Sequence, residues 1–179
     1  MSNRKKGGKE MVCEFSDFIE TVGLCDLSEI DLEDGTFKQI AVPETVTIPA
    51  QKPDVEQIIK VVINGEITRT KVIKTPVRRD SRDVILPSAG GQRLTGRKLI
   101  IEAKIRQKIV YVAETELGDQ PVHSAEFELP FSTFIVLPED TPLESRFDIE
   151  ICIEDIFVER LNPRQIFKNL IVLFVAAEK

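Results

Sequence analysis

The sequence predicts an all-β fold, either a β-sandwich or a partly closed barrel, behind a short N-terminal arm with a helical pattern. Most of the chain after residue 45 alternates apolar and polar residues with a period of two, as half-buried strands do. Turn-forming residues interrupt these stretches at short intervals, which is typical of sandwiches and barrels. No alternation of strand and helix patterns occurs, which disfavours a parallel α/β sheet. A length of 179 residues suits one domain with a tail or an arm.

The N-terminal part differs in pattern from the rest. Residues 1–9 are basic and predict a disordered tail, and residues 10–40 predict an arm. Apolar residues at positions 11, 12, 15, 18, 19 and 22 follow helical spacing, which Gly23 ends. An acidic connection over 26–35 then leads to a β domain over residues 41–179. Because of this separation, we expect the arm to contribute more to assembly with other subunits than to the stability of the β domain.

The first strong β pattern lies in the segment 58–77. Residues 58–63 form a run rich in β-branched side chains that stops at Asn64 and Gly65, the commonest dipeptide of tight hairpins. We therefore predict a hairpin at this dipeptide, with residues 67–77 as the partner strand.

Residues 98–114 carry the clearest strand pattern of the chain. One parity is apolar and the other is mostly charged. The predicted inner face comprises Leu99, Ile101, Ala103, Ile105, Ile109, Tyr111 and Ala113. Because the stretch is long for one strand, we expect a bend or bulge near Arg106 and Gln107.

Two apolar stretches close the domain. Alternation over 147–154 changes parity at positions 156 and 158, which predicts a bulge near Asp155. Residues 166–177 are apolar on both parities, which predicts a strand buried on both faces or covered by a partner, although helical spacing also fits. We expect this last segment to be needed for folding or for contact between subunits, because both of its faces need cover.

The three cysteines, Cys13, Cys25 and Cys152, have no spacing typical of a metal site. One interpretation is that they are reduced cytosolic thiols packed as small apolar side chains. The other is that they cross-link subunits once their compartment opens to air, since an odd number of thiols suits pairing between molecules. All three are therefore candidate assembly residues.

Charge is distributed unevenly along the chain. The net charge is −6, but residues 60–108 hold 13 basic and 4 acidic groups, a net +9, whereas residues 109–179 hold 5 and 14, a net −9. The basic groups lie on strand-like segments without interleaved aromatic residues, which disfavours a nucleic-acid partner. Opposite charges are expected to pair within one molecule or between molecules. Arg78, Arg79 and Arg82 cluster at the end of a predicted strand and are candidates for contact between subunits.

The residue types needed for catalysis or cofactor binding are sparse. His123 is the single histidine, so every mechanism with a histidine base would have to use it, and its parity places it on an inner face. One histidine and scattered cysteines do not make a usual zinc site. We therefore predict no enzyme activity, no cofactor and no metal, with a hydrolase that works through His123 as a rival hypothesis. The longest apolar run, 170–177, is far shorter than the ~20 residues of a membrane helix, so we expect no membrane insertion.

Several stretches of the chain together carry a family resemblance. They are residues 48–58, 94–104, 108–113, 121–135, 154–158 and 164–169. The chain resembles the SPOCS (spore and cortex) domain family over roughly residues 41–177, with these motifs in the order of that family. Its most recognisable run is matched by PVHSAEFELPFSTFI at 121–135.

The resemblance implies a protein of endospore-forming bacteria that builds or tethers the coat and outer layers of the spore, in a family with no known catalytic residues. It implies a homo-oligomer or polymer, or docking to other spore coat proteins. It also implies synthesis in the mother-cell cytoplasm and deposition on the spore surface as coat, exosporium or appendage. Some members add a LysM cell-wall-binding module that this chain lacks, which favours assembly over tethering. The alternative is a binding module for spore cortex or another polysaccharide, which the absence of Trp disfavours.

Overall fold

The computed structural model describes residues 19–30, 36–86, 94–114 and 118–179. These ranges contain seven β-strands and one short 3-10 helix, Leu27–Glu29. The strands are β1 Glu20–Val22, β2 Thr36–Thr47, β3 Val55–Lys74, β4 Arg97–Ala113, β5 Val122–Val136, β6 Phe147–Asn162 and β7 Gln165–Glu178. Apart from that short helix, the regular secondary structure of the described residues is therefore all β, as the alternating pattern predicts.

The strands form two sheets. Sheet A has the order β1-β3-β4-β5 and sheet B has the order β2-β7-β6. All neighbouring strands are antiparallel except β1 and β3, which run parallel. The inner faces of both sheets share one apolar core, and β3 lies against β6 while β2 lies against β5. The predicted sandwich is confirmed, and the described strands do not close into a barrel.

β4 lies between β3 and β5, and its inner face is the one predicted. All of its predicted inner residues are buried. The bend expected near Arg106 and Gln107 is wrong, because β4 keeps an unbroken register with β5 from Lys98 to Val112. The irregularities lie instead in β3, between Val55 and Gln57, Ile58 and Lys60, and Ile67 and Arg69. This long strand pair therefore departs from regular pairing at bulges in β3 and not in β4.

The hairpin predicted at Asn64 and Gly65 is wrong, because β3 continues through both residues. They pair with Arg106 and Ile105 of β4 in antiparallel register. Gly65 instead marks a close approach of the two sheets, since a Cβ atom on it would lie 2.8 Å from Cδ1 of Ile151 on β6. A glycine inside a strand often marks such an approach.

β7 is the central strand of sheet B and is bonded to both β2 and β6. The prediction of a strand over 166–177 is confirmed, and the helical alternative is wrong. Even-numbered residues from Ile166 to Ala176 face the core between the sheets, while Leu173 and Val175 are buried on the opposite face. Both faces of β7 are thus covered, which accounts for apolar residues on both parities.

β6 forms one edge of sheet B and carries the bulge predicted near Asp155. Its register against β7 shifts between Ile153 and Asp155, and again between Arg160 and Asn162. The first shift coincides with the change of parity in the sequence, so this prediction is confirmed.

The helix predicted over positions 11–22 is wrong at its C-terminal end. Glu20–Val22 form β1, which pairs with β3 at Lys60, Val61 and Val62. The reason is tertiary, because the edge of β3 offers unpaired backbone groups that a short strand satisfies. Residues 11–18 and the predicted tail over 1–9 lie outside the described residues.

From β1 the chain crosses to the outer face of sheet B. The backbone N–H of Cys25 donates to the carbonyl oxygen of Ile153 on β6 at 3.0 Å. Ile30 then packs against Leu173 and Val175 of β7. The predicted arm extends to residue 40, whereas β2 already begins at Thr36 and pairs with β7 from there on. Residues 36–40 therefore belong to sheet B.

Gly23 determines how closely β1 can approach β3. Its φ is +102°, and a Cβ atom there would collide with the carbonyl oxygen of Ile63. We expect Gly23→Ala to detach β1 and to lower the free energy of unfolding by about 1–3 kcal/mol, as measured by denaturant unfolding. Gly118→Ala is the matched control, because Gly118 also has a positive φ but its Cβ would meet nothing within 4 Å. Equal losses in both variants would contradict the role of the collision.

Candidate assembly surfaces

The three predicted arginines lie on the loop between β3 and β4 and differ in environment. The guanidinium of Arg79 contacts the carboxylate of Glu139, and its Nη1 donates to the carbonyl oxygen of Asp83 at 2.7 Å. Arg78 and Arg82 are exposed, and neither side chain forms an ion pair with another described residue. The loop therefore presents the charges of Arg78 and Arg82 to solvent. Arg79 instead links the loop to the connection between β5 and β6, where Glu139 lies.

This loop has a defined shape of its own. Oδ1 of Asp80 accepts hydrogen bonds from the backbone N–H groups of Arg82 and Val84, at 2.8 and 2.9 Å. The backbone N–H of Leu86 donates to the carbonyl oxygen of Arg78 at 2.9 Å. Val84 and Leu86 remain 53% and 39% exposed. The loop thus offers apolar and arginine side chains together, and arginine is enriched at protein contacts.

Basic side chains on the outer face of β4 are paired within the subunit. Arg106 lies between Glu66 of β3 and Glu128 of β5, at 3.4 and 3.0 Å. Lys104 approaches the same two carboxylates at 3.9 and 3.7 Å, and a third pair of this kind follows on β4 and β5. Part of the positive charge of residues 60–108 is therefore balanced within one molecule. The outer face of β4 consequently does not present a surface of uniformly positive charge.

The edge strand β6, which the arm contacts at Ile153, carries much of the negative charge of residues 109–179. Its exposed carboxylates are Asp148, Glu150, Asp155 and Glu159. Asp148 binds Lys179 of the same chain at 2.5 Å, and Asp155 accepts from the N–H of Ile156. Glu150 and Glu159 form no ion pair within the described ranges. An acidic strand edge and a basic loop are thus present on one subunit.

Sheet A also ends in exposed backbone. β1 pairs with only three residues of β3, and β5 has no further strand beside it among the described residues. Such edges can pair with another chain. Pro130 in the middle of β5 lacks an N–H group, which is tolerated at an edge and limits strand addition there.

Cys25 and Cys152 form a disulfide within one chain. Their Cα atoms lie 5.5 Å apart and their sequence separation is 127 residues. This pairing replaces the interpretation of the two as reduced thiols, and two sulfurs bonded to each other do not cross-link subunits. Cys13 lies outside the described residues, so a link between subunits through it stays a prediction.

His123 is a packing residue on the inner side of β5, as its parity predicts. Its ring stacks on that of buried Tyr111, with centroids 6.1 Å apart. No group of three metal-ligating side chains occurs in the ranges that the structure describes. No helix in those ranges is long and apolar enough to cross a membrane.

A shallow polar cleft of about 310 Å³ lies at one end of the sandwich. It is lined by Glu56, Glu114, Gly118, Gln120 and Arg160. Two of these side chains bind each other, since Nε2 of Gln120 donates to Oε1 of Glu56 at 3.1 Å. None of these five described residues is aromatic, so none of them offers a stacking surface for a sugar ring.

A polar cluster that the sequence interpretation missed lies inside the sandwich. Lys168 of β7 is fully buried, and its Nζ lies 2.9 Å from Oε2 of Glu44 on β2 and 2.5 Å from Oε1 of Gln107 on β4. Nε2 of Gln107 donates to the same Oε2 of Glu44 at 2.8 Å. Burial lowers the pKa of Lys168, while the hydrogen bond and charge of Glu44 oppose that shift. The three side chains therefore form a closed ring of contacts that joins the two sheets.

Each of the three residues is a polar residue at a position where the strand pattern predicts an apolar one. Gln107 occupies the apolar parity of β4, Lys168 interrupts the core-facing parity of β7, and Glu44 shares the parity of buried Val42 and Val46. A polar residue at a core position normally has a buried partner. A polar residue at a core-facing position of the pattern therefore identifies each of the three as a candidate for a buried contact. The pattern does not show that the three side chains contact one another.

A comparison with models of known protein families identifies the family of the chain. The family model described as SipL, SPOCS domain, matches residues 54–161. This range is more than half of the chain and runs from the start of β3 to nearly the end of β6. No curated protein and no solved structure matches the chain. The resemblance carried by the motifs is therefore confirmed over this range.

Proposed function

Because the chain belongs to the SPOCS domain family, we propose that it is a non-catalytic structural protein of the outer layers of the bacterial endospore. The family match over residues 54–161 supports this proposal, since SPOCS domains are associated with spore coat and cortex proteins. The protein is made in the mother-cell cytoplasm and is deposited on the spore surface, as part of the coat, exosporium or an appendage. It acts by assembling with copies of itself or by docking to other coat proteins.

The contact that we propose joins the loop around Arg78 and Arg82 of one subunit to the β6 edge of the next. Both arginines and the carboxylates of Glu150 and Glu159 are exposed without ion-pair partners in the described part of their own chain. Two different surfaces of the same molecule would then meet. Such heterologous contacts grow into rings or filaments, because each added subunit leaves the same pair of surfaces open.

We expect the double reversal Arg78→Glu, Arg82→Glu to raise the protein concentration needed for assembly about tenfold while the monomer stays folded. Each exposed ion pair contributes only ~0.2–1 kcal/mol, so two pairs must be lost and replaced by repulsion to give this effect. Arg79 is left in place, because it binds Glu139 and Asp83 within the subunit. Sedimentation velocity and negative-stain microscopy over a concentration series measure the change.

The matched control is Arg69→Glu, Lys71→Glu, which makes the same change in net charge at two exposed residues of β3. Salt is the second control, since screening should weaken assembly of the unaltered protein but not of the Arg78, Arg82 variant. Equal assembly of both variants and the unaltered protein, at low and at high salt, would exclude electrostatic docking through this loop.

A further inference from the structure

We propose that Lys168 and Gln107 react within the folded chain to form an isopeptide bond, which joins β7 to β4 covalently across the core and releases ammonia. The reacting groups are an amine and a carboxamide that contact each other inside the sandwich. A third group, the carboxylate of Glu44, contacts both of them.

The geometry holds the amine beside the carbon that it attacks. Nζ of Lys168 lies 2.5 Å from Oε1 of Gln107, one bond away from the carboxamide carbon Cδ. Lys168 is fully buried and Gln107 is 2% exposed, so neither side chain is free to swing away into water. The ring of Phe127 lies over the amine, with its centroid 5.3 Å from Nζ. Two reactants fixed in contact in this way react with a high effective concentration.

Burial also favours the reactive form of the amine. Only a neutral amine is a nucleophile, and desolvation lowers the pKa of Lys168 from its ordinary value. Oε2 of Glu44, 2.9 Å from Nζ, is placed to take the proton. This transfer removes both charges from an apolar interior, where isolated charges are unfavourable.

One carboxylate oxygen can serve both halves of the reaction. Oε2 of Glu44 lies 2.9 Å from Nζ of Lys168 and 2.8 Å from Nε2 of Gln107, the nitrogen that leaves. Nζ attacks Cδ, a bond forms between them, and Glu44 passes the proton on to Nε2 as general acid. The bond between Cδ and Nε2 then breaks.

The step balances without any further reactant. Glu44 carries a first proton from Nζ to Nε2, so that Nε2 leaves as ammonia, and it then carries a second proton from Nζ to that ammonia, which departs as ammonium. The ammonium group of Lys168 thus gives up two protons, and the leaving nitrogen gains two. The carboxylate of Glu44 is regenerated, and nothing is oxidised or reduced. The product is a secondary amide between residues 61 positions apart, one in each sheet.

Intact-mass spectrometry of the purified, folded protein tests this proposal. The reference is the sequence mass less the two hydrogens that the disulfide removes. We expect the mass to be lower than this full mass by one ammonia molecule, and we expect peptide mapping to recover a branched peptide that joins Lys168 to Gln107. In the variants Glu44→Gln and Lys168→Met, each calculated from its own sequence, we expect the full mass. The first keeps the shape of the side chain but removes the proton acceptor, and the second removes the nucleophile. Full mass in the unaltered protein, with both residues in linear peptides, would overturn the proposal whether or not the variants fold.

Two controls separate this bond from other losses of ammonia. Lys104→Met removes a lysine of β4 that pairs with surface carboxylates, and this variant should still lose ammonia. Asn64 followed by Gly65 can also lose ammonia by cyclisation, so the site is located by fragmentation of the mapped peptides. A loss that persists in Lys168→Met, or that maps to Asn64, counts against the isopeptide bond. Circular dichroism of each variant shows whether its fold is retained.

Discussion

Truncation after Arg164, which removes β7, is expected to abolish folding of the domain. β7 pairs with β2 along twelve residues and with the whole length of β6, so its loss leaves sheet B without a centre. The side chains lost include fully buried Ile166, Leu170 and Phe174. Burial of one such side chain contributes about 1.5–3 kcal/mol, and several together exceed the net stability of a typical domain.

Circular dichroism, sedimentation velocity and proteolysis measure this outcome. The matched control removes only Glu178 and Lys179, which are exposed and whose ion pair with Asp148 lies at the surface. We expect that control to keep the thermal midpoint. The point variant Phe174→Ala should lower the free energy of unfolding by about 3–5 kcal/mol, because Phe174 is fully buried and packs edge-on against Phe131. A soluble, monodisperse and folded truncation product would contradict the central role of β7.

The second large effect is expected from loss of the disulfide. Replacing Cys25 and Cys152 with Ser should lower the free energy of unfolding by about 5 kcal/mol, since the bond closes a loop of 127 residues in the unfolded chain. The same change should release the segment around Ile30 from Leu173 and Val175. This result would differ from the expectation that the arm contributes little to stability. The reason is that β1, the disulfide and Ile30 attach the arm to both sheets.

Denaturant unfolding with and without a reducing agent measures the loss, and hydrogen exchange at residue 25, whose N–H donates to Ile153, reports release of the segment. Cys13→Ser is the matched control, because it removes a cysteine without touching the pair, and it should leave stability unchanged. A double-Ser variant as stable as the unaltered protein would show that the arm is held by packing alone.

The sequence predicts those features of the fold that depend on local alternation. The inner face of β4 and the parity change at Asp155 follow from a period of two, and both are confirmed. The hairpin predicted at Asn64 was wrong because the strand continues through Gly65, which lies against Ile151 of the other sheet. No local pattern in the sequence reveals that contact. The helix predicted over positions 11–22 was wrong at Glu20–Val22 for the same kind of reason, since the partner of this strand on β3 is about 40 positions away.

For the candidate surfaces, too, the sequence predicts exposure but not contacts between distant residues. Exposure of Arg78 and Arg82 follows from a charged run at the end of a strand, and both are exposed. The engagement of Arg79 by Glu139 depends on two loops meeting, so the sequence could not show it. The sequence could not show two other contacts, because they join residues far apart in the chain. One is the disulfide between Cys25 and Cys152. The other is the contact of Lys168 with Gln107, which crosses from one sheet to the other.

The strand order has a consequence for the time at which the protein folds. β3, β4 and β5 follow one another as antiparallel neighbours, so sheet A can form while synthesis continues. β2 is made early but its partner is β7, the last of the seven strands to leave the ribosome. Until then the inner face of sheet A, with Leu99, Ile101 and Ile105, has no second sheet to cover it. Pairings this distant in sequence also form slowly, so the nascent chain exposes this apolar face until β7 has paired, in a state that a chaperone would bind.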